Sequence, residues 1–288
     1  MKTNNPIKYF TSVMVLMGMM VVGSCLAQDD EKDEKDKRPV RSPFESALLI
    51  DGQTIVVPSK GTLEFDIQHR FGTIRNGFSD LFGIYAPSSN IRLGINYTPV
   101  DNLSIGFGTT KGDKLQDFNI KYAILKQTRS WTVPVGITYY GNAVIDAGKE
   151  DHYDNKVQRL SYYHEVMIAT KINSDLTLQL SPSYSHYNGA DSLYSNDVIA
   201  VSARGRYKIT PVFSIISGIE YQLTGHEAIE LAPNISFGIE LATSGHAFQV
   251  FAGNFQEIVP QKNIAFNQNR FGRGEILIGF NITRLWNF

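Results

Sequence analysis

Cysteine is almost absent, with one residue, Cys25, in a chain of 288. No internal disulfide framework and no cysteine-based zinc site can be built from it. Charge is scarce too, at 19%, and balanced at 27 basic against 28 acidic side chains. A formal net charge of -1 lacks the basic footprint needed to neutralise a phosphate backbone, which excludes nucleic acid as a partner. No phosphate-cradling glycine motif is present. Instead Gly94, Gly106, Gly108, Gly136, Gly218, Gly238 and Gly279 alternate within strand-like segments, where they relieve crowding on one wall. What the chain does hold is 14 Tyr and 17 Phe, set in segments of alternating polarity.

The N-terminus indicates export. Lys2 and Lys8 precede an apolar run over residues 11–23, followed by Ser24-Cys25-Leu26-Ala27-Gln28. This is the pattern of a signal peptide over residues 1–27, with a core short of the roughly 20 residues a membrane-spanning helix needs. Cleavage after Ala27 uses the small residues Cys25 and Ala27 and leaves a mature chain without cysteine. The alternative, Val22-Gly23-Ser24-Cys25, loosely resembles a lipobox that would leave Cys25 lipidated, although Gly before Ser is unusual there. Residues 28–42 contain DDEKDEKDKR, a run without apolar side chains that reads as a solvated flexible linker. In residues 43–60 two apolar pieces flank Asp51-Gly52, a dipeptide that favours a tight hairpin turn. Each arm is too short to cross a bilayer as a strand. The segment reads as a small plug or a periplasmic piece.

From Thr62 to the end, residues 61–288 alternate with period two. Leu63, Phe65, Ile67, His69 and Phe71 form one face of the first segment; Thr62, Glu64, Asp66, Gln68 and Arg70 form the other. The pattern repeats in about 12 segments. Among them are Leu93, Ile95, Tyr97; Leu103, Ile105, Phe107; Phe118, Ile120, Tyr122, Ile124; and Trp131, Val133, Val135, Ile137, Tyr139. Segments near residues 159–170 and 247–255 are ambiguous in phase. Connections alternate as well: those near 72–90, 111–117, 145–157, 188–196, 223–233 and 256–273 are longer, and those near 99–102, 127–130, 171–175, 208–211 and 243–246 are short. Loop lengths sorted by parity are the rule for outer-membrane barrels, with short periplasmic turns and longer external loops. The fold class expected is all-β, a transmembrane antiparallel up-and-down β-barrel. A soluble periplasmic β-sandwich is the alternative that periodicity alone leaves open.

Charge and aromatics support the barrel. Glu64, Asp66, Arg70, Arg92, Lys121, Glu165, Arg204, Arg206, Glu220, Glu240 and Glu275 fall on the polar face and would line a lumen. Tyr97, Trp131, Tyr207, Phe213, Trp286 and Phe288 gather at one set of strand ends, and Phe71, Phe107, Phe118, Tyr139 and Tyr221 at the other, as two interfacial girdles. Trp286-Asn287-Phe288 reads as a C-terminal signal for the barrel-assembly machinery. Arg284 departs from the apolar spacing, at a cost of only about 0–1 kcal/mol near an interface.

The stretches TLEFDIQHRFG (62–72), DLFGIYAPSSNIRLGINY (80–97) and SIGFGTTKGDKLQDFNIKYAILKQT (104–128) resemble a Gram-negative family of outer-membrane β-barrels classified only as a domain of unknown function. The likeness runs from about Pro43 to Phe288. It implies secretion and a barrel, and supplies no catalytic residue, substrate or partner.

The functional readings follow from the lumen. Near-equal numbers of opposite charges favour pairing across a narrow interior over an ion path. A barrel of about 12 strands lies between side-chain-filled and open kinds, so a narrow or plugged conduit for small solutes, or a membrane scaffold, is expected. Candidate plugs are residues 44–58 and the first loop, with Phe78, Leu81, Phe82, Ile84 and Tyr85. The alternative is a lipid-acting enzyme with a Ser-His pair such as Ser161 and His164, which would need both groups within hydrogen-bond reach. Ser185 and His186 are adjacent on a strand and point to opposite faces. Histidines at the rims read better as interface residues. The acidic loop over residues 146–154 lacks the ordered spacing of a calcium loop. No cofactor, metal or catalytic residue is expected. The partners are outer-membrane lipid, the assembly machinery and an unspecified periplasmic or surface protein.

Overall fold

Period-two alternation puts successive side chains on opposite faces, and here it resolves into one sheet that closes on itself. The computed structural model describes residues 36–148, 153–189 and 194–288. The signal peptide, most of the charged linker, and Glu150, Asp151 and His152 of the acidic loop lie outside them. A two-residue pair, β1 (Leu48–Leu49) and β2 (Gly52–Gln53), precedes twelve wall strands. These are β3 (Thr62–Thr73), β4 (Asn90–Val100), β5 (Leu103–Thr110), β6 (Leu115–Leu125), β7 (Gly136–Asp146), β8 (Leu160–Lys171), β9 (Leu176–Tyr187), β10 (Asp197–Lys208), β11 (Phe213–Gln222), β12 (Asn234–Thr243), β13 (His246–Gly253) and β14 (Leu277–Asn287). Each pairs antiparallel with its sequence neighbour, and β14 returns to β3 with Ile282 opposite Ile67. Closure removes every free edge, and it excludes the sandwich.

The outward face is apolar. Ile95, Phe118, Ile215, Phe237 and Val250 are exposed, far more contiguous grease than a water-facing surface carries. The strands therefore form a transmembrane barrel of the expected class. Two segments of ambiguous phase have a physical explanation. On β8 the inward positions include Tyr163, Met167 and Ala169, and on β13 they include Phe251, so both faces are apolar there and alternation fades.

The parity of the connections holds with one inversion. Residues 74–89, 147–159, 188–196, 223–233 and 254–276 are the longer loops of one end; 101–102, 172–175, 209–212 and 244–245 are the tight turns of the other. At the second hairpin the expectation fails. Residues 111–114 make a short turn, whereas residues 126–135 form an extended connection, and β7 begins at Gly136 rather than near Trp131, which takes a left-handed backbone. The reason is a local docking: Pro39 bridges Thr128, Val40 N donates to Gln127 O at 2.9 Å, and Arg129 N donates to Arg38 O at 3.0 Å. The chain thus reaches the barrel at its turn end.

Candidate functional site in the barrel lumen

The core of the molecule lies inside the barrel. Phe44, Leu49, Ile50 and Ile55 pack in one cluster with inward wall side chains Tyr140, Tyr163, Met167, Ile216 and Phe251. Residues 44–56 thus occupy the lumen as a stopper. Beyond the short β1–β2 pair, a backbone inside a barrel has no sheet to pair with, and its remaining buried polar groups must find side chains. The wall supplies them from all round. Gln249 Nε2 donates to Leu48 O at 2.9 Å, and its Oε1 accepts from Ile50 N at 3.0 Å. Ile50 O accepts from Arg70 Nη2 at 2.9 Å and from Asn281 Nδ2 at 2.7 Å. Gln179 receives Ile55 N and donates to Gln53 O; Thr138 Oγ1 donates to Ile55 O at 2.9 Å. Lys121 Nζ donates to Ala47 O at 2.9 Å.

The stopper's turn differs from the expected one. Leu49 pairs with Gly52, so Ile50 and Asp51 form the turn, and Ile50 adopts φ 56. Such a backbone costs a β-branched residue about 1–3 kcal/mol, offset by the bonds from Gln249, Arg70 and Asn281. Gly52 is placed by a close approach: a Cβ there would collide with the Arg204 guanidinium.

The predicted lumen charges form three groups on this wall. In the first, Arg92 on β4 donates Nη1 to Asp66 Oδ1 at 2.8 Å and grips Asp117 with Nε and Nη2, both at 2.8 Å. Asn96 joins Glu64 to it at 3.0 Å. Arg92 lies flat because Gly94 and Gly108 leave it room. In the second, Arg204 meets Glu165 at 3.0 Å and Glu220 at 3.8 Å, beneath the stopper's tip. In the third, Arg206 Nε donates to Glu240 Oε1 at 2.7 Å, and its Nη2 lies 3.8 Å from Glu45. Arg70 stands apart, fully buried, its guanidinium 4.5 Å over the Phe251 ring. Ten of the eleven predicted residues, all but Glu275, are buried to 7% exposure or less.

Glu275 is a correction. It precedes β14 in the last loop, accepts from Arg270 N at 2.8 Å and pairs with Arg75 at 3.6 Å, at the loop end rather than on the wall. Sequence reading also passed over Asp117, although it shares the inward phase of Lys121 on β6, and over the amides Gln179, Gln249 and Asn281. Amides carry no charge to draw attention, yet they do most of the joining here.

The first loop is no plug: Phe78 is 84% exposed and Tyr85 74%. The last loop takes that role. Its helix α1 (Pro260–Phe266), with Pro at the first turn, buries Gln261, Asn263, Ile264 and Ala265. It contacts β8, β9, β10 and β11, on the wall opposite its own strands. Asn263 Nδ2 reaches Asp51 Oδ2 at 3.4 Å, so lid and stopper meet.

Ser161 and His164 do not form a pair. Ser161 faces inward, buried, 3.4 Å from Gln261 Nε2; His164 faces outward and bonds Tyr139 OH. Trp286 faces outward beside Arg284, whose guanidinium lies 5.2 Å from the indole centre, and Phe288 is exposed.

Among solved structures, similarity is seen to a KdgM porin in complex with disordered oligogalacturonate (TM-score 0.47, 8% identity, 79% of this chain and 99% of that one). An outer membrane channel from Pseudomonas putida F1 gives TM-score 0.48 at 11% identity, over 80% and 97% of the two chains. The outer-membrane expressed OmpT of Vibrio cholerae gives 0.39 at 12%, over 80% and 100%. No curated protein matches the sequence. A family model described as "Membrane bound beta barrel domain (DUF5777)" matches residues 44–286, stopper and wall together, and the chain belongs to that family.

Proposed function

We propose that the protein is an outer-membrane conduit for small solutes, held closed by its own N-terminal segment. The carrying observation is the stopper: residues 44–56 fill the lumen and leave it at the turn end, where residues 38–40 dock on residues 127–129. A segment that enters from the turn end can be drawn out toward that side, and a solute path requires its displacement, because the inward charges are otherwise sealed from water. Trp286 and Phe288 serve the assembly machinery, and outer-membrane lipid covers the apolar wall.

A second reading, a membrane scaffold, is supported by the density of side-chain bonds to the stopper, which resemble a core more than a loose cork. Planar-bilayer conductance separates them. The full-length refolded barrel is expected to be silent, and a form lacking residues 28–60 to give discrete steps. Silence from a truncated form that still shows a folded, heat-modifiable band would remove the conduit and leave the scaffold.

A further inference from the structure

One sector of the outer wall breaks the apolar rule. On the outer face of β7 to β10 the outward positions include Tyr139, near the start of β7, and Tyr162, His164, Tyr184, His186 and Asp197, toward the loop ends of β8 to β10. Their rings form two tiers. Tyr139 and His164 stack at 28° and His164 and Tyr184 at 19°, with centroids 6.1 and 6.4 Å apart. Tyr162 and His186 stack at 20° beside them. Gly141 makes the platform flat, since a Cβ there would meet the Tyr139 ring 2.8 Å from its hydroxyl. The polar edges are linked. Tyr139 OH bonds His164 Nδ1 at 2.6 Å, and Asp197 Oδ1 receives Tyr184 OH at 2.5 Å and His186 Nδ1 at 2.7 Å.

Two polar atoms remain open toward the membrane. Asp197 Oδ2 and His164 Nε2 take no hydrogen bond among the described residues, and the Asp197 side chain is 55% exposed. On a lipid-facing wall such groups are costly unless something polar covers them. Below His164 and Tyr184 the wall of β8 and β9 returns to Val166, Ile168 and Leu180. On β5 and β6 the corresponding paired rings are Phe107 and Phe118, with no polar edge.

We infer that this sector binds the sugar head group of an outer-leaflet glycolipid. Flat aromatic faces accept the C–H faces of a sugar ring, and hydroxyls can both donate to Asp197 Oδ2 and accept from His164 Nε2. The six residues include no Lys or Arg, and Asp197 would repel a bare phosphate, so the recognition is of sugar. The inference rests on the outer-membrane reading and is independent of whether the lumen conducts.

The test uses full-length protein refolded into vesicles of phospholipid alone or phospholipid with rough lipopolysaccharide, then extracted in mild detergent for native mass spectrometry. The wild type is expected to retain about one glycolipid per barrel, and H164L/Y184L at least tenfold less. Both changes place leucine on a lipid-facing wall, and a heat-modifiable band checks that the variant folds. Equal retention by both proteins, or equal retention of phospholipid, overturns the inference. So does a wild-type dimer that the substitutions split without added glycolipid, since the occupant is then a second copy. Conductance of the truncated barrel separates the readings: discrete steps from it, with glycolipid still retained by H164L/Y184L, fail only the site, whereas a silent truncated barrel, with glycolipid lost from H164L/Y184L, fails only the conduit.

Discussion

Arg92 shows how one side chain can organise a wall. It satisfies Asp66 and Asp117 together from a buried position, and deleting it leaves two carboxylates without their cation. Arg92→Ala is therefore expected to cost about 3–5 kcal/mol, read as a lower urea midpoint in detergent. Arg92→Lys restores only part, because an ammonium cannot grip Asp117 with two parallel bonds. Gly52→Val pushes into the Arg204 guanidinium, and an overpacked site of this kind costs about 1–3 kcal/mol. At this scale most of the site was legible, because strict alternation assigns a face to each charge once a strand is phased. Glu275 was misplaced because alternation was carried two residues upstream of the start of β14. Ile50 could not be foreseen in a left-handed turn, since local preference favoured Asp51-Gly52 and only distant side chains overrule it.

Elements decide how the lumen is closed. The strands were readable wherever one face is polar, and became ambiguous on β8 and β13, where inward Tyr163, Met167 and Phe251 meet the stopper. The helix α1 left almost no trace: seven residues, one N-terminal proline and no side-chain cap. Its loop carries a pH response. Burial raises the Glu257 carboxyl to about 7, and its neighbour Lys262, 3.4 Å away, is shared with Asp113. A carboxyl that keeps its proton in the folded loop but ionises near 4.5 when released makes the loop less stable as pH climbs from about 5 to 7. Hydrogen exchange over residues 254–276, corrected for intrinsic rates, should be slower at pH 5 than at pH 8, and Glu257→Gln should flatten the difference. Faster exchange at the lower pH would contradict the assignment.

For the whole molecule, the barrel class and the strand number follow from repetition along the chain, and the family from the three stretches that resemble it; all stand. What repetition could not convey is that the principal hydrophobic cluster lies within the lumen, because inward apolar residues are few and scattered over β7, β8, β10, β11 and β13. With Ser161 inside and His164 outside, these two do not pair, and S161A and H164A variants should leave any background lipid hydrolysis unchanged. A drop in either would reopen that chemistry.

The seam between β3 and β14 sets an order of events. Residues 57–61 are the only tether between stopper and β3, and β3 is the strand that waits longest for its final partner. Until β14 arrives, its edge stands open beside the segment that must end up enclosed. Residues 44–56 and β3 are joined at the turn end, so the segment that fills the barrel and the strand that closes it are neighbours at the seam. The closing pair of strands thus fixes the circumference of the wall beside the segment that fills it.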